Sequence, residues 1–236
     1  MTKLANYIEG RWQDGNGPGS PVLDPITGET LATVSADGLN MAAAYDYARQ
    51  QAGPALRKLS YAERAALLGE IAKVLQANRD KYFDISLRNS GTVQNDSAVD
   101  VDGAIYTLSF YAKAGAKMVE KALRLDGEAA PLAKDNVFAS QHIFVPIQGL
   151  ALFINAFNFP AWGLWEKAAA ALLSGVPVVI KPATSTAWLT HEMVKDVVEA
   201  NILPSGALNI VCGRPEGLLD ALNGLDVVSF TGSADT

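Results

Sequence analysis

The spacing of apolar residues changes twice along the chain. Over residues 1–35 short apolar pieces are interrupted by Gly15-Asn16-Gly17-Pro18-Gly19-Ser20-Pro21 and Asp24-Pro25-Ile26-Thr27-Gly28. That density of turn formers predicts irregular backbone with a few short strands. Over about residues 40–121 the spacing becomes helical. Ser60 and Glu63 form a candidate capping box ahead of Leu67, Leu68, Ile71, Val74 and Leu75, which share one helical face. A second long helix, expected over residues 97–120, places Val101, Ile105, Leu108 and Tyr111 or Ala112 on a similar stripe. Core packing alone accounts for both stripes.

Residues 137–145 read as a strand entered after Pro131 and left through Pro146-Ile147-Gln148-Gly149, with no helix of their own. Beyond Gly149 strands and helices alternate. The strands are expected at residues 150–154, 176–180, 208–211 and 227–230, and the helices at 161–173, 187–200 and 216–222. Each strand is short and nearly all apolar, as strands buried on both faces must be, and the alternation predicts an α/β fold with a parallel sheet under covering helices. No internal repeat or low-complexity linker interrupts the pattern.

Composition narrows the partner. Of 236 residues 49% are hydrophobic and 19% charged, enough for a sizeable core, and the net charge of −6 disfavours nucleic acid and anionic membrane surfaces. A small molecule is the expected partner. The single cysteine, Cys212, excludes an intrachain disulfide and a multi-cysteine zinc site, so no metal is expected and a reducing compartment, the cytoplasm, fits. Neither a leader-like start nor an apolar run of membrane-spanning length is visible.

Ligands of an open parallel sheet bind beyond the carboxyl ends of its strands, where loops converge and helix N-termini present free amides. The four expected strand ends carry Ile154-Asn155-Ala156-Phe157-Asn158-Phe159-Pro160, Lys181-Pro182-Ala183-Thr184, Cys212-Gly213-Arg214-Pro215 and Thr231-Gly232-Ser233. Pro160 suits a helix's opening turn. The Asn158 side chain just ahead of it can donate to an oxyanion or serve as an ordinary helix cap. The Lys181 ammonium can reach a ribose hydroxyl or a phosphate, or simply be solvated. Gly232 and Ser233, at what reads as a helix start, can turn their amides toward a pyrophosphate. A P-loop and a G-x-G-x-x-G turn are both absent. Cys212 ends an apolar strand without a neighbouring histidine, which reads as a small buried residue; His142 and His191 read as structural, and the Asn95-Asp96-Ser97 sequon as chance.

In order along the chain, Asn158-Phe159-Pro160, Lys181-Pro182-Ala183, Leu203-Pro204-Ser205-Gly206-Ala207-Leu208-Asn209-Ile210-Val211 and Phe230-Thr231-Gly232-Ser233 resemble the N-F-P, K-P-A, L-P-x-G-x-x-N-V-V and F-T-G-S motifs of the aldehyde dehydrogenase superfamily. Tyr7-Ile8-Glu9-Gly10-Arg11-Trp12 and Asp24-Pro25-Ile26-Thr27-Gly28-Glu29 resemble its opening, so the likeness covers essentially the whole chain. The wording around Asn155-Ala156-Phe157-Asn158-Phe159-Pro160-Ala161-Trp162-Gly163, with Asn89-Ser90-Gly91, is similar to the branch that oxidises CoA-linked semialdehydes in aerobic benzoate and phenylacetate breakdown.

The resemblance implies a mechanism and a layout. A cysteine thiolate attacks the aldehyde, Asn158 and a backbone amide stabilise the oxyanion, hydride leaves for a nicotinamide ring, and the thioester is hydrolysed or passed on. Lys181 would hold the adenosine ribose, Gly232 and Ser233 the pyrophosphate, with Ile154, Asn155, Phe157, Gly213 and Phe230 lining the cofactor. Phe157 replaces the family's usual tryptophan, and Thr184 stands where many NAD-preferring relatives have a glutamate that repels a 2′-phosphate. NADP is therefore the expected cofactor, with NAD as the alternative. Residues 1–126 would form an arm and helices packed on the cofactor domain, 127–148 an oligomerisation hairpin giving a homodimer or dimer of dimers, and 149–236 an incomplete nucleotide-binding domain. In the family the nucleophilic cysteine and the general-base glutamate follow the F-T-G-S motif, so a truncated enzyme, without turnover by itself, is expected. A non-catalytic nucleotide-binding or assembly module and a reductive acyl-CoA enzyme are the alternatives.

Overall fold

A computed structural model describes residues 2–118 and 123–234. The opening segment forms five short strands, β1 (Thr2–Leu4), β2 (Asn6–Ile8), β3 (Arg11–Gln13), β4 (Ser20–Leu23) and β5 (Thr30–Val34). Helices then follow as the periodicity predicts: α1 (Met41–Tyr47), a π-helical turn (Ala48–Ala52), α2 (Gly53–Arg57), α3 (Tyr61–Ala77), α4 (Arg79–Ser90) and α5 (Gln94–Gly115). The long helix expected over residues 97–120 begins three residues earlier and ends at Gly115, with residues 116–118 in a turn; Glu120 and Lys121 themselves lie outside the described residues.

The capping box at the start of α3 is formed: Glu63 N–H donates to Ser60 Oγ (3.2 Å) while Ser60 N–H donates to the Glu63 carboxylate (2.7 Å). Leu68, Ile71 and Leu75 are buried, and so are Val101, Ile105 and Leu108 on α5. The same face of α3 buries Arg64, whose guanidinium donates to the carbonyls of Leu173 (2.7 Å) and Leu59 (2.6 Å) and lies over the Tyr61 ring. Periodicity does not reveal such a residue, because its partners are backbone carbonyls remote in sequence.

Strand β6 (Arg124–Pro131) pairs antiparallel with β7 (Ala139–Phe144) in a two-stranded sheet of its own, exposing Leu125, Ile143 and Phe144. The alternating region supplies β8 (Ala151–Ile154), α6 (Trp162–Leu173), β9 (Val178–Lys181), a 3₁₀ turn (Thr184–Thr186), α7 (Ala187–Glu199), β10 (Leu208–Ile210) and β11 (Val227–Phe230). These four strands are parallel, and β2 and β3 extend their sheet antiparallel on the far side, giving the order β11-β8-β9-β10-β2-β3. A second sheet has the order β1-β5-β4. No helix among the described residues is long and apolar enough to cross a membrane.

Three expectations are corrected. Residues 216–222 form successive turns instead of a helix, because Gly217 adopts φ +68° and the amides of Asp220 and Leu222 reach back only three residues. Strand β11 is the outermost of the described strands in its sheet, and within residues 2–234 Val227, Val228 and Phe230 are each nearly half exposed. Pro160 precedes the N-cap of α6 instead of opening the helix. The helix read after Gly232 and Ser233 would continue into residues 235 and 236, outside the described residues.

Beside the backbone pairing of β2 with β10, one buried side chain ties the arm to the parallel sheet. Asn6 Nδ2 donates to the carbonyls of Ser35 (2.9 Å) and Gln13 (3.2 Å), and its Oδ1 accepts from Cys212 N–H (2.7 Å). Replacing it strands buried backbone groups, so Asn6→Ala is expected to lower the unfolding free energy by about 2–4 kcal/mol. Urea denaturation followed by circular dichroism checks this; a loss under about 1 kcal/mol would mean the arm is held by other contacts.

Candidate active site

The strand register brings the predicted strand ends to one rim. Ile154 pairs with Lys181 on one side and Phe230 on the other. The ladder then continues one step past the strands: Asn155 N–H donates to Lys181 C=O (3.1 Å) and Thr231 N–H to Ile154 C=O (2.9 Å). Gly213 follows β10 beside β9, with φ +119° and its Cα packed so closely on the arm that a Cβ would approach Ala36 N to 3.0 Å. Gly232 is exposed next to the Phe230 ring, and Ser233 is exposed beyond it.

Lys181 is half-buried at the tip of β9. Burial pulls its ammonium below the usual lysine range, the nearby Arg214 guanidinium pulls the same way, and the Cys212 thiol opposes them weakly. Among the described residues no carboxylate lies within ion-pair distance of either cation. Arg214 was not singled out from the sequence; its signal is an arginine directly after the glycine that ends the third strand. Thr184 opens the 3₁₀ turn, which is held from the side by Asn89 Nδ2 donating to Ser185 C=O (2.8 Å).

The segment after β8 is tied down at several points. Thr186 Oγ1 donates to Phe157 C=O (3.0 Å) and Thr190 Oγ1 to Pro160 C=O (2.7 Å). The Phe157 ring stands 64% exposed above the rim. Asn158 is exposed, its side chain makes no hydrogen bond, and it does not cap α6. That role falls to Asp100 of α5, whose Oδ1 accepts from Trp162 N–H (2.7 Å) and Oδ2 from Ala161 N–H (3.1 Å). Asp100 is only 4% exposed, and burial pushes its carboxyl up to about 6 against the opposing effect of those two amides.

Beneath Asn158 lies a cleft of about 240 Å³, with Asn155, Phe159, Trp162, Lys167 and Thr231 in its walls. Phe159 and Trp162 meet edge to face, and the Trp162 indole is anchored on Thr107 Oγ1 (3.1 Å). Lys167 Nζ donates to Asn155 Oδ1 (2.9 Å) and Thr231 Oγ1 (3.1 Å), and burial lowers its ammonium from the usual range. Sequence reasoning missed Lys167; a lone lysine on an otherwise apolar helix face was the available signal. The buried Nδ2 of Asn155 has no partner. Cys212 is wholly buried, and that burial pushes its thiol up to about 12, so it supplies no thiolate at neutral pH. His142 is exposed on the hairpin and His191 packs beside Trp12, both away from the cleft.

Among the described residues, the rim of the parallel sheet thus gathers an unbonded amide, two cations without carboxylate partners and an aromatic-walled cleft, the layout of a ligand-binding edge. The aldehyde dehydrogenase family profile matches residues 12–236, and the chain belongs to that family. It is 58% identical over 99% of its length to 3,4-dehydroadipyl-CoA semialdehyde dehydrogenase of Aromatoleum evansii, covering 45% of that protein. It is 28% identical to the D-glyceraldehyde dehydrogenase (NADP(+)) of Picrophilus torridus, over 98% of this chain and 45% of that one. Among solved structures, succinate-semialdehyde dehydrogenase from Burkholderia pseudomallei superposes with a TM-score of 0.81 at 30% identity, over 97% of this chain and 46% of that one. The chain thus spans about half the length of the relatives it matches.

The raised carboxyl of Asp100 makes a signed prediction. Its ordinary value is 3.8 and its folded value about 6, so the folded chain holds this proton to higher pH than the unfolded one. Its contribution to stability is complete below about 3.8 and is lost as pH rises through about 6. Urea unfolding of wild type and Asp100→Asn at pH 4.5, 5.5 and 6.5 should therefore show the variant gaining on wild type as pH rises. A difference independent of pH would refute the assignment.

Proposed function

We propose that the chain is the cofactor-binding and oxyanion-stabilising part of an enzyme that oxidises an aldehyde to the carboxylic acid with NADP. The observation that carries this reading is Asn158, an amide exposed at the mouth of the cleft and relieved of helix capping by Asp100. A thiolate supplied by other residues of the full enzyme attacks the aldehyde carbonyl beside it, and the oxyanion of the resulting thiohemiacetal accepts a hydrogen bond from the Asn158 NH₂ group on the way to a thioester. The nicotinamide nucleotide, when bound, supplies the hydride acceptor.

The cofactor's phosphates fit the rim. Lys181 and Arg214 are two cations without carboxylate partners among the described residues, and an anion between them would remove their mutual repulsion. Thr184 brings no competing negative charge. Lys181 is assigned to the ribose and its 2′-phosphate, Gly232 and Ser233 to the pyrophosphate, and Ile154, Asn155, Phe157, Gly213 and Phe230 to the surrounding wall. The substrate class is a CoA-linked semialdehyde, supported by the 58% identity to the Aromatoleum evansii protein. Residues 149–236 are the nucleotide-binding domain, carried by the arm and helices of residues 1–126. The hairpin of residues 127–148 is assigned to pairing with a neighbouring subunit, since the apolar side chains of its two strands pack on neither larger sheet. A homodimer or dimer of dimers follows, in the cytoplasm, where a lone unpaired thiol is at home.

Two measurements test this reading. Fluorescence titration should find NADP bound more tightly than NAD, and Arg214→Gln should weaken NADP by about tenfold or more while sparing NAD. NAD bound several-fold more tightly than NADP would overturn the preference. In the full enzyme Asn158→Ala should lower kcat by about 10²–10³-fold with cofactor affinity unchanged. Product analysis in the same assay distinguishes free acid from an acyl-CoA, and an unchanged kcat would remove Asn158 from the mechanism.

A further inference from the structure

An amide that is to meet an oxyanion must not be spent on its own backbone. Asn158 stands three residues before the N-cap of α6, and asparagine is among the strongest capping residues. Helix α6 offers no alternative from its own sequence: its N-cap residue, Ala161, has no side-chain acceptor. The first free amides of the helix therefore require an acceptor from elsewhere. Asp100 supplies it from α5, one carboxylate oxygen to each of Ala161 N–H and Trp162 N–H. Both bonds are charge-assisted when the carboxyl is ionised, and the one to Ala161 N–H is buried, which limits water's access to that amide. Asn158 meanwhile makes no side-chain hydrogen bond, although the carbonyls of Phe157 and Pro160, on either side of it, are pinned by Thr186 and Thr190.

We propose that Asp100 is a positioning residue for Asn158: by occupying the first amides of α6 it keeps the Asn158 side chain from folding back as the helix cap and so leaves that amide available to the cleft. Without it, Asn158 Oδ1 turns onto the vacated amides, its NH₂ group swings away from the mouth of the cleft, and the oxyanion loses a donor while the aldehyde and cofactor contacts survive. The inference rests on the oxyanion reading only for its catalytic consequence; the competition for the helix amides stands by itself.

The two parts are separable by experiment. In the 236-residue chain labelled with ¹⁵N, the Asn158 side-chain amide resonances should shift in Asp100→Ala while the backbone amides of Ala161 and Trp162 stay protected by their new acceptor, and should shift to a smaller degree in Asp100→Asn, which keeps one acceptor. If Asp100→Ala does not fold, the Asp100→Asn shift alone decides, and an unmoved Asn158 resonance in a folded variant overturns the proposal. In the full enzyme Asp100→Ala should lower kcat by about tenfold or more with KM and cofactor affinity little changed, and adding Asn158→Ala to it should cost almost nothing further. Full additivity of the two substitutions would overturn the positioning role. If Asn158→Ala alone leaves kcat intact while the resonance still responds to Asp100, the oxyanion reading fails and the competition for the helix amides stands.

Discussion

Everything functional in this chain depends on the fact that β8, β9, β10 and β11 run parallel. Parallel strands need a crossover between each pair, so their carboxyl ends collect on one edge, and there the ladder's donors and acceptors run out of partners. The ladder closes one step further, through Asn155 on Lys181 and Thr231 on Ile154, and only then releases the backbone into loops. The amino-terminal arm braces the same edge from outside. Asn6 of β2 holds the Cys212 amide, which fixes the point where Gly213 and Arg214 leave the sheet.

Charge follows location here more than composition. A chain of net charge −6 repels anions on average, yet Lys181, Arg214 and Lys167 are gathered along the rim and cleft, with no carboxylate among the described residues ion-paired to any of them. The acidic groups that are buried do structural work: Asp100 on the amides of α6, and Asp226 on Arg49 and on the amides of Leu150 and Asn223. Net charge therefore excluded nucleic acid and membrane as expected partners but carried no information about the rim.

What could be read from the sequence was what local spacing controls. The stripes of α3 and α5, the Ser60–Glu63 box and the four parallel strands have short-range signatures, and the rim residues were visible as the places where apolar runs stop. The remainder depends on partners far away in sequence. Asp100, on a helix already explained by its apolar stripe, carries no mark that it caps a helix some 60 residues on, so local sequence favours Asn158 as the cap, a role the structure gives to Asp100. Arg64 and Lys167 bind atoms supplied by other elements. The turns at 216–222 were misread because a single left-handed glycine outweighs a helical spacing of only seven residues, and the exposure of β11 within residues 2–234 because an outermost strand and a central one share the same composition.

The burial of Cys212 has a use outside enzymology. A chain whose sole native thiol is sealed and protonated is unreactive toward maleimides, so one engineered cysteine becomes a unique handle without any background substitution. Placed at Val137, 80% exposed on the hairpin turn, a spin label or fluorophore would report on that turn alone.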